Sequence, residues 1–209
     1  MALFKKSRAL FESPFPEQGH PHLVNDLIPE HHQHLPMLRV FLPVGREIDE
    51  LARWSEFVSL DDKTASLEWS DVVEQVREDR PWIQEYAPAT GELDAGTRAA
   101  LIDAIDSINL SSLRWMGYPE APRTRKPVRV FGDEYYPSTA RASDLEIGRR
   151  IPEFAWDDSG RLAWGARLYG DSFVVAAEPE VVQRLHCDPR IDTVPVRVNF
   201  DVMPRSAGD

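Results

Sequence analysis

The stretch from Ile151 to Glu178 constrains the fold more than any other, because three short apolar runs follow one another with turn residues between them. IPEFAW leads into Asp157-Asp158-Ser159-Gly160, then RLAWGARLY, then Gly170-Asp171, then SFVVAAE. In the middle run Leu162, Trp164, Ala166 and Leu168 alternate with Arg161, Gly165 and Arg167, which is the two-residue period of a strand. Gly-Asp between two such runs predicts a two-residue hairpin turn. The alternation returns near the carboxyl end, where Val194, Val196, Val198, Phe200 and Val202 occupy every second position. Such a pattern predicts an antiparallel sheet with one face buried and the other polar. LRVFLP at 38–43 and Val128-Arg129-Val130 add two further short strands.

Helical periodicity is confined to other parts of the chain. From Asp94 to Ile108 the apolar residues Ala100, Leu101, Ala104, Ile105 and Ile108 recur at three- and four-residue spacing. Pro179 to Cys187 reads as a short helix with Val181, Val182 and Leu185 inward and Pro189 beyond its end. The region from Gly45 to Leu110 reads as mostly helical and holds 16 acidic against six basic residues, a net of −10 out of −11 for the whole chain. Within it Arg53-Trp54-Ser55-Glu56-Phe57-Val58 is echoed by Glu68-Trp69-Ser70-Asp71-Val72-Val73, with the serines expected as helix caps. These segments predict an α+β fold, a twisted antiparallel sheet packed against an acidic helical layer.

Residues 1–37 form a Pro/His-rich amino-terminal arm ahead of a single α+β domain at 38–209. The arm carries five prolines between 12 and 37, each removing an amide donor. Phe11, Phe15, Leu23, Val24, Leu27 and Ile28 give it more apolar content than a free linker needs, so it is expected to lie on the body. Five of the six histidines are here, and His31, His32 and His34 beside Glu30 are of a type that zinc takes. Their spacing matches no closed metal site, and the expectation is a polar loop with no metal and no cofactor.

Several function classes find no support in the residues. There is no G-x-G-x-x-G, G-x-x-x-x-G-K-[ST], G-x-S-x-G or H-E-x-x-H. His186-Cys187-Asp188 places three reactive types in a row, but sequence neighbours do not face one another on a helix, and Cys187 is expected to pack as a small apolar residue. A single cysteine and no long apolar run suit a cytoplasmic chain, and MALFKKSRALF makes a poor secretory signal. Strong acidity argues against nucleic acid and against an anionic membrane surface.

Five segments in order, Trp69 to Val73, Leu93 to Ile108, Trp115 to Tyr118, Phe154 to Ala177 and Pro179 to Pro195, resemble a family of uncharacterised proteins from high-GC Gram-positive bacteria. That family runs through a W-x-E/D-V segment, a helix, a W-x-G-Y strand, a tryptophan-rich hairpin, and a helix before a final strand. The resemblance implies an α+β protein outside the familiar enzyme classes and transfers no activity. It departs where the helix ends IDSINL, and residues 1–37 have no counterpart.

The charge pattern then carries the functional expectation. An acidic layer is expected to bind a basic protein partner, as an immunity or regulatory protein does, with Glu56, Asp61, Asp62, Asp71, Glu74, Glu78 and Asp79 as contacts. Trp54, Trp69 and Trp82 lie in the same third and are expected in the core. Two alternatives are an enzyme binding an anionic small molecule at Arg123, Arg125, Lys126 and Arg129, and a structural subunit docked by the arm. Arg114 and these four cations are otherwise expected to pair with the acidic layer of the same molecule.

Overall fold

The computed structural model of the chain describes residues 11–47, 50–123 and 125–201. The basic opening at 1–10 and Val202 of the alternating run lie outside them. In chain order the elements are β1 Met37–Phe41, β2 Val44–Glu47, β3 Glu50–Ala52, α1 Trp69–Val76, β4 Ala87–Pro88, α2 Ala95–Ile105, β5 Leu110–Trp115, β6 Val128–Val130, β7 Asp133–Ala140, β8 Phe154–Trp156, β9 Leu162–Ala166, β10 Ser172–Ala177, α3 Pro179–His186 and β11 Asp192–Val196. Eight strands make one antiparallel sheet in the order β11-β1-β10-β9-β8-β5-β7-β6, and β3-β2-β4 make a second, smaller one. The fold is α+β.

The ladder read at 151–178 is β8-β9-β10, with Trp156 opposite Ala163 and Ala166 opposite Phe173. Its second connection is longer than the expected two-residue turn. Arg167 to Asp171 form a five-residue loop in which Tyr169 adopts φ +56° and the Gly170 amide donates back to the Arg167 carbonyl.

Central strands are covered on both faces, which corrects the one-sided burial expected from their alternation. Leu162 and Trp164 of β9 pack with Leu101, Ile105 and Leu185 from α2 and α3. Ala163 packs on the opposite face with Phe15, Leu27, Trp54 and Trp69. The physical reason is size. Gly165 reads as an exposed position, yet it is bare so that the arm can touch the sheet: a Cβ there would lie 2.1 Å from the Leu27 carbonyl oxygen. Phe15, Val24, Leu27 and Ile28 of the arm are all buried in this packing.

The acidic stretch accordingly serves both faces. Trp69 and Val72 of α1 join the arm's side, while α2 lies on the other, capped by Asp94, whose Oδ1 accepts from the amides of Gly96 and Thr97. Outside its two α-helices this stretch forms short strands and 3₁₀ turns (Trp54–Glu56, Pro81–Glu85) rather than the helices expected. The run expected as one strand at 194–202 ends at Val196, on the edge of the sheet. The chain then turns so that the Val198 and Phe200 carbonyls accept from the Asn25 and Val24 amides of the arm. Among the described residues no helix is long and apolar enough to cross a membrane.

Candidate docking surface

The two echoed segments fold alike. Trp54 and Trp69 each start a helical turn, and the carboxylate three residues after the residue that precedes the turn reaches back to it: Glu56 accepts from the Arg53 amide at 2.7 Å and Asp71 from the Glu68 amide at 2.8 Å. Ser55 and Ser70, expected as caps, sit one residue inside. Remote carboxylates satisfy the neighbouring amides, Asp192 at Ser55 and Asp171 at Trp69, both at 2.9 Å. Each indole N–H donates to a carbonyl, Trp54 to Leu42 at 3.0 Å and Trp69 to Tyr86 at 2.9 Å, and the two rings meet edge to face at 5.4 Å. Both are core.

Trp82 is not. It stands 45% exposed on the Pro81–Glu85 turn, its ring 5.9 Å from those of Phe57 and Tyr86. Phe57 in turn meets Trp69 at 5.1 Å, so the exposed indole is braced from below by the buried aromatic stack. Beside it, the Tyr86 hydroxyl donates to Glu50 at 3.4 Å, and Glu85 pairs with Arg46.

The candidate acidic residues are spread over the segment before Trp82, along α1 and in the loop that precedes it. Glu78 and Asp79 precede Trp82 by four and three residues, and both are exposed, their carboxylates without an ion pair or hydrogen bond among the described residues. Glu56 is exposed next to Phe57, with the Arg80 guanidinium on its main-chain carbonyl. Asp71 and Glu74 share the outer face of α1, opposite Trp69 and Val72, and Glu74 pairs with Arg77 at 2.8 Å. Asp61 and Asp62 lie in the loop before α1. Hydrogen bonds from the Thr64 and Lys63 amides hold the Asp61 carboxyl below its ordinary pKa. Among the described residues, Glu74 is the only one of the seven that holds an ion pair. Comparison with known proteins finds no matching family, no matching curated protein and no matching solved structure.

The basic residues expected to neutralise this stretch are placed elsewhere. Arg114 is nearly buried beside Glu120 and Glu153, whereas Arg123, Arg125, Lys126 and Arg129 are exposed on an open loop and on the edge strand β6. Arg167, Arg190 and Arg150 take that role for Glu68, Asp103 and Glu92, all outside the candidate set.

His31, His32 and His34 do not converge. His34 is exposed, while His32 is fully buried, with Nε2 3.2 Å from the Asp157 carbonyl and the His31 ring 3.9 Å away. Burial, then the neighbouring His31, lower the His32 pKa, so the ring is neutral near pH 7. Burial alone would raise the Asp157 carboxyl, but hydrogen bonds from Ser159, from the Leu162 and Arg161 amides and from His32 hold it at about 2. The Asp157–Gly160 turn is thus closed by its own aspartate and pinned to the arm. His186 bonds Thr193 and Asp188 bonds Arg190, so neither faces Cys187, which is exposed rather than packed because Val181 and Leu185 take the inward positions of α3.

One chemically loaded residue has no signal in the sequence. Glu153, 3% exposed, precedes β8 and accepts from the Trp115 amide at 2.7 Å. Burial pushes its pKa up to about 7 despite Arg114 nearby. Arg150 lies 4.6 Å over the Tyr118 ring and bridges Glu92 and Glu120 around this network.

Proposed function

We propose that the chain is a small interaction protein of immunity or regulatory type, acting in the cytoplasm, that docks a basic protein partner through Trp82 and the carboxylates around it. The observation that carries this reading is a half-exposed indole, held rigid by Phe57 and Tyr86, with the unpaired Glu78 and Asp79 next to it in the chain. A braced Trp loses little conformational freedom on binding and is the residue type most enriched at hot spots. An arginine or lysine of the partner would lie over the indole face and pair with a flanking carboxylate. Asp61, Asp62 and Asp71 further along the surface would act at longer range, steering encounter more than holding the complex.

The reading is tested by purifying partners from the chain's own cell extract with the wild-type protein, with Trp82→Ala and with Glu78→Lys/Asp79→Lys. A basic protein retained at low salt by the wild type and lost from both variants supports it. A partner retained equally by all three sinks it. The anion-binding alternative at Arg123, Arg125, Lys126 and Arg129 has exposed cations in its favour, but on an open loop and an edge strand a small anion would stay hydrated. Among the described residues of the arm, Phe15, Val24, Leu27 and Ile28 are buried in the chain's own core, which takes these side chains away from a docking role.

A further inference from the structure

Between the arm, the start of α1 and the β9–β10 loop lies a cavity of about 360 Å³, large enough for about a dozen waters at about 30 Å³ each. It sits over the centre of the sheet, and Val24, Leu27, Trp69, Leu168 and Val196 supply apolar lining. Its size, and walls that combine apolar side chains with convergent polar groups, are those of a small-molecule site.

Beside Asp201 and the Ser66 and Ser70 hydroxyls, the polar lining holds two ion pairs. Arg39 of β1 and Asp171 are each 13% exposed and meet at 3.2 Å, and Arg167 meets Glu68 at 2.8 Å, about one-third exposed. Arg39 also donates to the Ser172 hydroxyl and the Ala65 carbonyl, both at 2.8 Å. Among the described residues these contacts use three of the five guanidinium N–H groups, while Asp171 Oδ2 accepts only the Trp69 amide. Spare donors on Arg39 and spare acceptors on Asp171 therefore stand side by side, and the charges of the two pairs cancel, while the third carboxylate of the lining, Asp201, is engaged in a contact of its own. A ligand with one charge would meet a like charge beside every opposite one, and a wholly apolar ligand would strand the polar groups without water. A ligand with both charges and an apolar body satisfies the set. In the wall Tyr169 holds a left-handed backbone, φ +56°, a strained state that clusters at ligand sites.

We propose that this cavity binds a zwitterionic small molecule with an apolar side chain, of the α-amino-acid class, its carboxylate toward Arg39 and Arg167 and its ammonium toward Asp171 and Glu68. The site is separate from Trp82 and does not depend on the docking reading.

Thermal unfolding and calorimetric titration of the full chain with L-leucine and L-phenylalanine test this, against 4-methylpentanoate and 3-methylbutylamine, which carry one charge each. The amino acids are expected to raise Tm by several degrees at saturation. Each one-charge analogue is expected to bind about tenfold more weakly or worse, the scale of one lost charge-assisted hydrogen bond. Arg167→Gln, at the half-open rim, should keep the ligand-free Tm and lose affinity by a similar factor, while Trp82→Ala should bind the amino acids as the wild type does. No shift with either amino acid, or equal shifts with the one-charge analogues, overturns the proposal on the wild-type chain alone. Unchanged affinity in a folded Arg167→Gln overturns the assigned pose.

Discussion

Glu153 makes the sharpest prediction from one side chain. Its pKa is raised in the folded chain from 4.5 to about 7, so the folded state holds a proton that the unfolded state releases. Below pH 4.5 both states are protonated and no penalty exists. As pH rises from 4.5 to about 7 stability falls, and above 7 the penalty stays constant at about 3 kcal/mol, from about 1.4 kcal/mol per pKa unit. Glu153→Gln keeps an acceptor for the Trp115 amide and removes the charge. Its unfolding free energy should match the wild type near pH 4.5 and exceed it progressively up to pH 7, as read by denaturant titration at several pH values. An equal difference at every pH would contradict the buried-carboxylate account. Asp94→Ala should lower stability by about 1 kcal/mol through loss of the α2 cap. The start of this helix at Asp94 was legible in the sequence from its periodicity, and the cap itself is a local contact between Asp94 and the residues two and three beyond it. Glu153 and His32 were not, since burial and partners far along the chain create their perturbation.

Local patterns located α2, α3 and the β8-β9-β10 ladder, where period and turn residues speak for themselves. Contacts between distant segments decided what the patterns could not. Nothing near Gly165 announces that the arm's backbone lies against it, and nothing near Ser55 announces that Asp192 caps its turn. Gly165→Ala places a methyl against the Leu27 backbone, which must shift, an overpacking cost of about 1–3 kcal/mol. The displaced element is the arm, so the Val24 and Asn25 amides, bonded to Phe200 and Val198, should exchange with solvent faster than in the wild type while α3 amides hardly change. Uniform acceleration across the chain would show instead that the arm is no separate element. The candidate site was legible in its charges and not in its anchor: the acidic run is visible by counting, whereas only the packing of Phe57 and Tyr86 distinguishes exposed Trp82 from buried Trp54 and Trp69.

For the molecule as a whole, the −11 charge is unevenly used. Glu68, Glu92 and Asp103 are paired with arginines from later in the chain, and Glu85 with Arg46, while the Glu78 and Asp79 carboxylates before Trp82 have no ion pair among the described residues. An interface built this way combines one short-range anchor with a screened field. Trp82→Ala should cost about 2 kcal/mol of binding, roughly a thirtyfold loss, and leave Tm nearly unchanged because the ring is half in solvent. The most direct measurement is the affinity of the wild type and of Glu78→Lys/Asp79→Lys for the retained partner between about 0.01 M and about 1 M salt, over which the Debye length falls from about 30 Å to about 3 Å. The wild type should weaken steeply with salt, and the charge-reversed variant should bind weakly throughout with little slope. Equal affinity and equal slope for the two proteins would contradict an acidic docking surface at Trp82.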